Sequence, residues 1–200
     1  MYERGISLDK LFACAKAFEA LLKVQYHITV GHRGKLTDLT LGFSKWDFHH
    51  LMGLGKLREL DLAKRNREKV FDQIIAGKID YGLLCKSVFL SEIENRFGPL
   101  AAIEEKLDSN ELVFRYLKKN NPASMIDASF LLSTPYLGTD VYVFLAEKEQ
   151  SGQFYCRSFF PRTGRDYTVN QKKYTLLYKE KRHLSTGETI VQYDRLHQER

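Results

Sequence analysis

Apolar and polar positions alternate with two different periods along the chain, and the period changes once. In SLDKLFACAKAFEALLK, residues 7–23, Leu8, Leu11, Phe12, Ala15, Phe18 and Leu22 recur at helical spacing, and Ser7 is a suitable N-cap. QYHITV and LTDLTLGF flank GHRGK and predict a β-hairpin. WDFHHLMGL, residues 46–54, predicts a short helix. Ser44 begins it, Asp47 stands at the capping-box position, and Gly55 is the expected stop. RNREKVFDQIIAGKI places Val70, Phe71, Ile74 and Ile75 on one helical face, with Gly77 closing it. DYGLLCKS and FLSEIENRF read as short helices, and the acidic stretch to Asp108 reads as helical too.

After residue 110 the period becomes two. ELVFRYLK, MIDASFLL, DVYVFLAEK, QFYCRSFF, KYTLLYKEKRHL and ETIVQYDR are six strand candidates. NNPAS, EQSG and STGE look like short connections, while PRTGRDYTVNQK is longer and basic. Short turns between successive strands predict an antiparallel meander. The expected fold class is α+β: N-terminal helices and a β-hairpin packed on a C-terminal antiparallel meander sheet. The expected organisation is one domain over 1–200, with a mainly helical half (1–110) and a sheet half (111–196).

Composition narrows the class without naming a function. Hydrophobic residues make up 44% and charged residues 28% of the chain, as in ordinary globular proteins. No apolar run approaches the roughly 18 residues that a membrane span needs. MYERGISLDK lacks the apolar stretch of a signal peptide, so a cytoplasmic location is expected. Cys14, Cys85 and Cys156 are far apart and form no C-x-x-C pair, which predicts buried free thiols. A net charge of +6 permits a polyanionic partner without requiring one.

Two constellations carry candidate chemistry. The first is His49 and His50 in WDFHHLMGL. Phe48, Leu51 and Met52 form the core side of the helix; the histidines straddle the other side, with Gly53 and Trp46 between them. Adjacent histidines diverge by about 100° on a helix, so the pair does not match metal-ligand spacing, and no metal is expected. Packing with ordinary hydrogen bonds and proton transfer near neutral pH both remain open. Gly53 would let a sheet or a ligand approach closely. The second constellation is QFYCRSFFPRTGRDYTVNQKKYTLLYKEKRH. Alternation puts Tyr155, Arg157 and Phe159 on one face, with Cys156 and Ser158 on the other. On the next strand Lys173, Thr175, Leu177 and Lys179 share a face. Arg162, Arg165, Tyr167, Lys172, Lys173, Lys179 and Lys181 interleave cations with aromatics, as an RNA-binding surface requires. A solvated sheet edge has the same composition.

FHHLMGL after a hairpin, followed by YCRSFFP and KYTLLYKEK, resembles a phage- and mobile-element-associated branch of the nuclease superfamily that groups barnase, EndoU, the tRNase colicins and RelE-type toxins. The resemblance runs from the first helix to Asp194. It implies a helical segment on a four- or five-stranded antiparallel sheet, and RNA cleavage by 2′-OH attack without metal or other cofactor. By that resemblance His49, His50, Arg157 and Ser158 supply acid–base and cationic groups, with Thr175 or Tyr167 as hydroxyl donors. No histidine lies within the later strands except His183 near a strand end, so a second acid–base group must come from the helix or from Lys or Tyr. The implied partner is RNA, including tRNA or guide RNA. The alternatives are an anti-CRISPR inhibitor acting on a Cas9-type ribonucleoprotein or its guide, and a catalytically inactive interaction module. The implied setting is the bacterial host cytoplasm.

Overall fold

A computed structural model describes residues 9–109 and 112–197. Helix α1 spans Lys10–Leu21. Asp9 is its N-cap: one carboxylate oxygen accepts from the Phe12 amide at 2.8 Å and the other from the Tyr81 amide at 2.7 Å. The expected cap Ser7 and the apolar Leu8 lie outside the described residues. Leu11, Cys14, Ala15, Phe18 and Leu21 form the buried face of α1, and Phe18 meets the rings of Phe43, Phe48 and Phe71.

The hairpin follows as β1 (Val24–His32) and β2 (Lys35–Leu41). Its two-residue turn places Arg33 at φ 49° and Gly34 at φ 75°; two positive angles in succession match the right-handed twist of the strands. Helix α2 is Lys45–Met52, and the Ser44/Asp47 capping box is present, with the Ser44 amide and hydroxyl each 2.8 Å from Asp47 Oδ2. The helix ends at Gly53, not at Gly55: Gly53 is the left-handed cap, at φ 80°. Three short 3₁₀ turns lead to α3 (Arg67–Ile75), capped by Asn66, and α4 (Tyr81–Leu84). Two more 3₁₀ turns, one of them Glu94–Arg96, precede α5 (Phe97–Ala101) and α6 (Ile103–Asp108).

The six strand candidates are β3 (Leu112–Arg115), β4 (Phe130–Tyr136), β5 (Thr139–Glu147), β6 (Gln153–Pro161), β7 (Lys172–His183) and β8 (Thr189–Asp194). They do not form a simple antiparallel meander. β3, β4, β5 and β6 are neighbours in order, but the long basic link carries β7 back to β3 rather than beside β6. NNPAS is not a tight turn either, since fourteen residues, 116–129, separate β3 from β4. The hairpin fills the gap. β1 pairs antiparallel with β7, and β2 pairs with β6 in parallel through Thr40↔Gln153 and Leu41↔Phe154. Seven strands therefore close into a mixed barrel in the order β1-β2-β6-β5-β4-β3-β7, and β8 adds to β7 outside the ring. The hairpin reads as an accessory in sequence because register across a closed sheet is set by long-range pairing.

Two β-bulges overturn the expected face assignments. On β6, Ser158 pairs with Phe144 and Cys156 with Leu145, which leaves Arg157 as the extra residue. Cys156 and Phe159 consequently both enter the main core, while Phe144, the partner of Ser158, belongs to a second cluster with Phe114, Tyr116, Leu131 and Tyr142. On β7, Tyr178 pairs with Thr29 and Leu176 with Val30, so Leu177 is the extra residue. Lys179 therefore turns away from the Lys173 and Thr175 face and is fully buried. The main core joins this inner sheet face to α1, α2 and α5. Cys14 and Cys156 are buried thiols, as expected; Cys85 is exposed.

Candidate active site

Helix α2 packs where β6 has lost its neighbour. Beyond Phe154 the side of β6 away from β5 makes no further pairing with β2. Helix α2 and the Glu94–Arg96 turn lie against β6. The His50 imidazole approaches the Arg157 backbone there, at the bulge. A bulge leaves the extra residue's backbone outside the ladder, free for such a partner.

Beside this contact is a cavity of about 370 Å³ lined by His49, His50, Gly53, Gly55, Lys56, Arg67 and Arg96. No acidic side chain lines it among the described residues. His49 is 3% exposed, with Nε2 3.1 Å from the Leu62 carbonyl oxygen. That oxygen can only accept, so Nε2 carries the proton and Nδ1 is bare. His50 is exposed. Both imidazoles titrate below the ordinary histidine range. Desolvation is the leading cause for each. His50 keeps an exposed edge, but the protein atoms packed round its ring still strip part of its hydration; the nearby charges of Arg157, Arg67 and Arg96 add to this while the Arg157 backbone opposes it.

Arg96 is the innermost cation. It is 8% exposed, and its Nη1 donates to the Leu51 carbonyl at 2.8 Å. Its guanidinium sits 5.8 Å from the Phe160 ring. Burial pushes its pKa down to about 10. Among the described residues no carboxylate pairs with it. A buried guanidinium with one carbonyl partner keeps several donors in reserve for an anion. Gly53 makes room for it: a Cβ there would lie 3.3 Å from Arg96 Cζ and 2.9 Å from Ile93 Cγ2. The close approach allowed by Gly53 is thus an arginine. Lys56 pairs loosely with Glu92 at 3.8 Å, and burial followed by the Arg96 charge lowers its pKa. Arg67 lies 4.0 Å over the Trp46 ring, which is 43% exposed.

The other residues singled out in the sequence are dispersed. Arg157 lines a separate pocket with Asp127, Ala128, Ser129, Ala146, Glu147 and Tyr155, although its backbone and charge reach His50. Ser158 is the next residue on β6, half-buried. Thr175 and Lys173 line a different cavity at the hairpin tip, with His32, Arg33, Lys35 and Arg195. Arg162 pairs with Asp166 at 3.1 Å and Asp140 at 3.9 Å. Arg165 lies 5.9 Å from the Tyr167 ring, and Lys172 is exposed at the start of β7. Lys179 donates to the carbonyls of Leu107, at 2.8 Å, and Ser109, deep in the fold. Lys181 bonds Glu104 at 2.5 Å and Asp108 at 2.9 Å. Neither ammonium is placed on a solvent-facing strip with Lys173.

Lys56, Arg67 and Arg96 escaped the sequence reading. Arg96 has a local mark, an arginine between Ile93 and Phe97 in an otherwise apolar short segment, but nothing in the sequence sets Arg67 and Lys56 apart from solvated helix and loop charges. Among the described residues no group of three His, Cys, Asp or Glu side chains converges to hold a metal.

No curated protein and no solved structure matches the chain. A family model, described as phage-Barnase-EndoU-ColicinE5/D-RelE like nuclease4, matches residues 10–196. That span takes in α1, both histidines, the whole barrel and β8, and the chain belongs to this nuclease-like family.

Proposed function

We propose that the chain is an endoribonuclease that cleaves RNA by 2′-OH attack, with the scissile phosphate held in the cavity of His50, Lys56, Arg67 and Arg96. One observation carries the reading: an imidazole kept neutral by its surroundings stands at a pocket whose charged walls are all cationic. A neutral imidazole accepts a proton at neutral pH, and clustered guanidinium donors suit the developing charge of a phosphorane.

In this reading the free ring nitrogen of His50 removes the 2′-OH proton. O2′ attacks phosphorus, the P–O5′ bond breaks, and a 2′,3′-cyclic phosphate forms. The departing 5′-oxygen takes its proton from the Lys56 ammonium, whose lowered pKa eases the transfer. Arg96 and Arg67 contact the non-bridging oxygens. The positive charge that a metal could supply at the phosphate comes here from side chains. His49, bonded to Leu62, is a positioning residue for the α2 turn, and Arg157 fixes His50 through its backbone.

The test is incubation of the full chain with total bacterial RNA and with guide-loaded Cas9, both in EDTA. Discrete fragments that disappear in the His50→Ala and Arg96→Gln variants support the reading. Intact RNA at all protein concentrations contradicts it. Loss of Cas9 activity with intact guide would favour the inhibitor alternative.

A further inference from the structure

A second cavity, of about 270 Å³, adjoins the first, and Lys56 and Arg96 line both. Its remaining walls are different in kind. Where the first is cationic, the second adds the Tyr167 and Phe160 rings, the Asn95 carboxamide and the Glu92 carboxylate. We propose that it is a nucleobase subsite, seating the base next to the phosphate held by Arg96 and favouring bases that carry an exocyclic amino group.

The inference rests on the nuclease reading of the first cavity, and three features support it. Arg96 is more than nine-tenths buried, has no carboxylate partner among the described residues, and faces both spaces, so an anion on it lies at their junction. Tyr167 is packed by edge contacts with Tyr142, Phe144 and Phe160 at 5.7, 5.4 and 5.6 Å. A ring already packed loses little entropy when a base stacks on it. Glu92 is exposed; Lys56 donates to its backbone carbonyl at 3.3 Å and meets its carboxylate only at 3.8 Å, leaving carboxylate lone pairs for a donor. A carboxylate only accepts, so placed at the exocyclic position it favours the amino groups of adenine, cytosine or guanine, where uracil presents the O4 carbonyl and offers only its ring N3–H as a donor.

Binding to the full chain is measured by calorimetry with the four nucleoside 3′-monophosphates and with ribose 5-phosphate. The nucleotides with amino-bearing bases should bind roughly tenfold more tightly than ribose 5-phosphate, the usual scale of one stacked base, with uridine monophosphate the weakest nucleotide. Tyr167→Ala should bring every nucleotide to the level of ribose 5-phosphate, and Tyr167→Phe should restore the difference. Glu92→Gln, an exposed change that leaves folding intact, should raise uridine monophosphate to the level of the others. Equal binding of ribose 5-phosphate and all nucleotides, or no binding by either, overturns the subsite. Weaker binding of uridine monophosphate that Glu92→Gln leaves unchanged overturns the amino-group selection even if Tyr167→Ala fails to fold. Base-dependent binding without RNA cleavage would sink the nuclease reading alone; RNA cleavage without base-dependent binding would sink the subsite alone.

Discussion

At the scale of single residues, the adjacent histidines divide their labour by environment. His49 is buried against a carbonyl and His50 is open to solvent. His50→Ala should change folding stability by less than about 1 kcal/mol, as at a surface position. His49→Ala strands the Leu62 carbonyl and should cost about 1–3 kcal/mol. Leu51→Ala, fully buried, should cost about 2–5 kcal/mol. Denaturant unfolding checks the order, and a His50 variant costing as much as Leu51→Ala would contradict the placement of the helix. The pH profile follows from the same environment. Partial desolvation of the ring by the protein atoms around it, despite its exposed edge, and then the Arg157, Arg67 and Arg96 charges lower the His50 pKa below its ordinary 6.5. A base must be deprotonated, so kcat/KM should hold below pH 6.5 and fall only as pH drops through the lowered value. Arg67→Gln removes one cation and should move that acid limb to higher pH, read from rates on a short RNA.

At the scale of elements, α2 was the most legible part of the site. Its capping box, its core face and the two histidines all follow from local spacing. Its end did not: Gly53 and Gly55 are equally good stops by composition, and what marks Gly53 is the close approach of Arg96 and Ile93, some forty residues on in the chain. Gly53→Ala tests that coupling. Its left-handed backbone and the crowding by Ile93 and Arg96 should together cost about 1–3 kcal/mol. Activity should fall further than the loss of stability explains, because the guanidinium must shift. A variant with wild-type melting and rate would show that Gly53 does not position Arg96. Four of the six strand candidates were found within a residue of their true limits because a period of two is a local signal. MIDASFLL, 125–132, however, starts five residues early and stops four short of β4, and ELVFRYLK, 111–118, overruns the four-residue β3. Facing was lost at Arg157 and Leu177, since nothing local marks a residue that will bulge when its partner strand arrives.

At the scale of the molecule, ring closure was invisible in the sequence because it depends on two pairings, β1 with β7 and β2 with β6, between segments far apart in the chain. The same closure separates the cations that a linear reading had grouped. Lys179 and Lys181 serve the interior and α6, while Lys173 faces the hairpin-tip cavity. RNA affinity should fall with salt, by a slope near 0.7 per phosphate contacted on a single strand. Lys173→Ala should lower that slope by about one contact's worth; Lys181→Ala should lower stability and leave the slope unchanged. No described helix is long and apolar enough to cross a membrane. The central claim is that the cavity of His50 and Arg96 cleaves RNA through the neighbouring 2′-hydroxyl. The most direct measurement is mass spectrometry of a short RNA and its copy carrying one 2′-deoxyribose at the cut position, both digested in EDTA. The account predicts a 2′,3′-cyclic phosphate terminus from the first and no cut at that position in the second; equal cutting of both would contradict it.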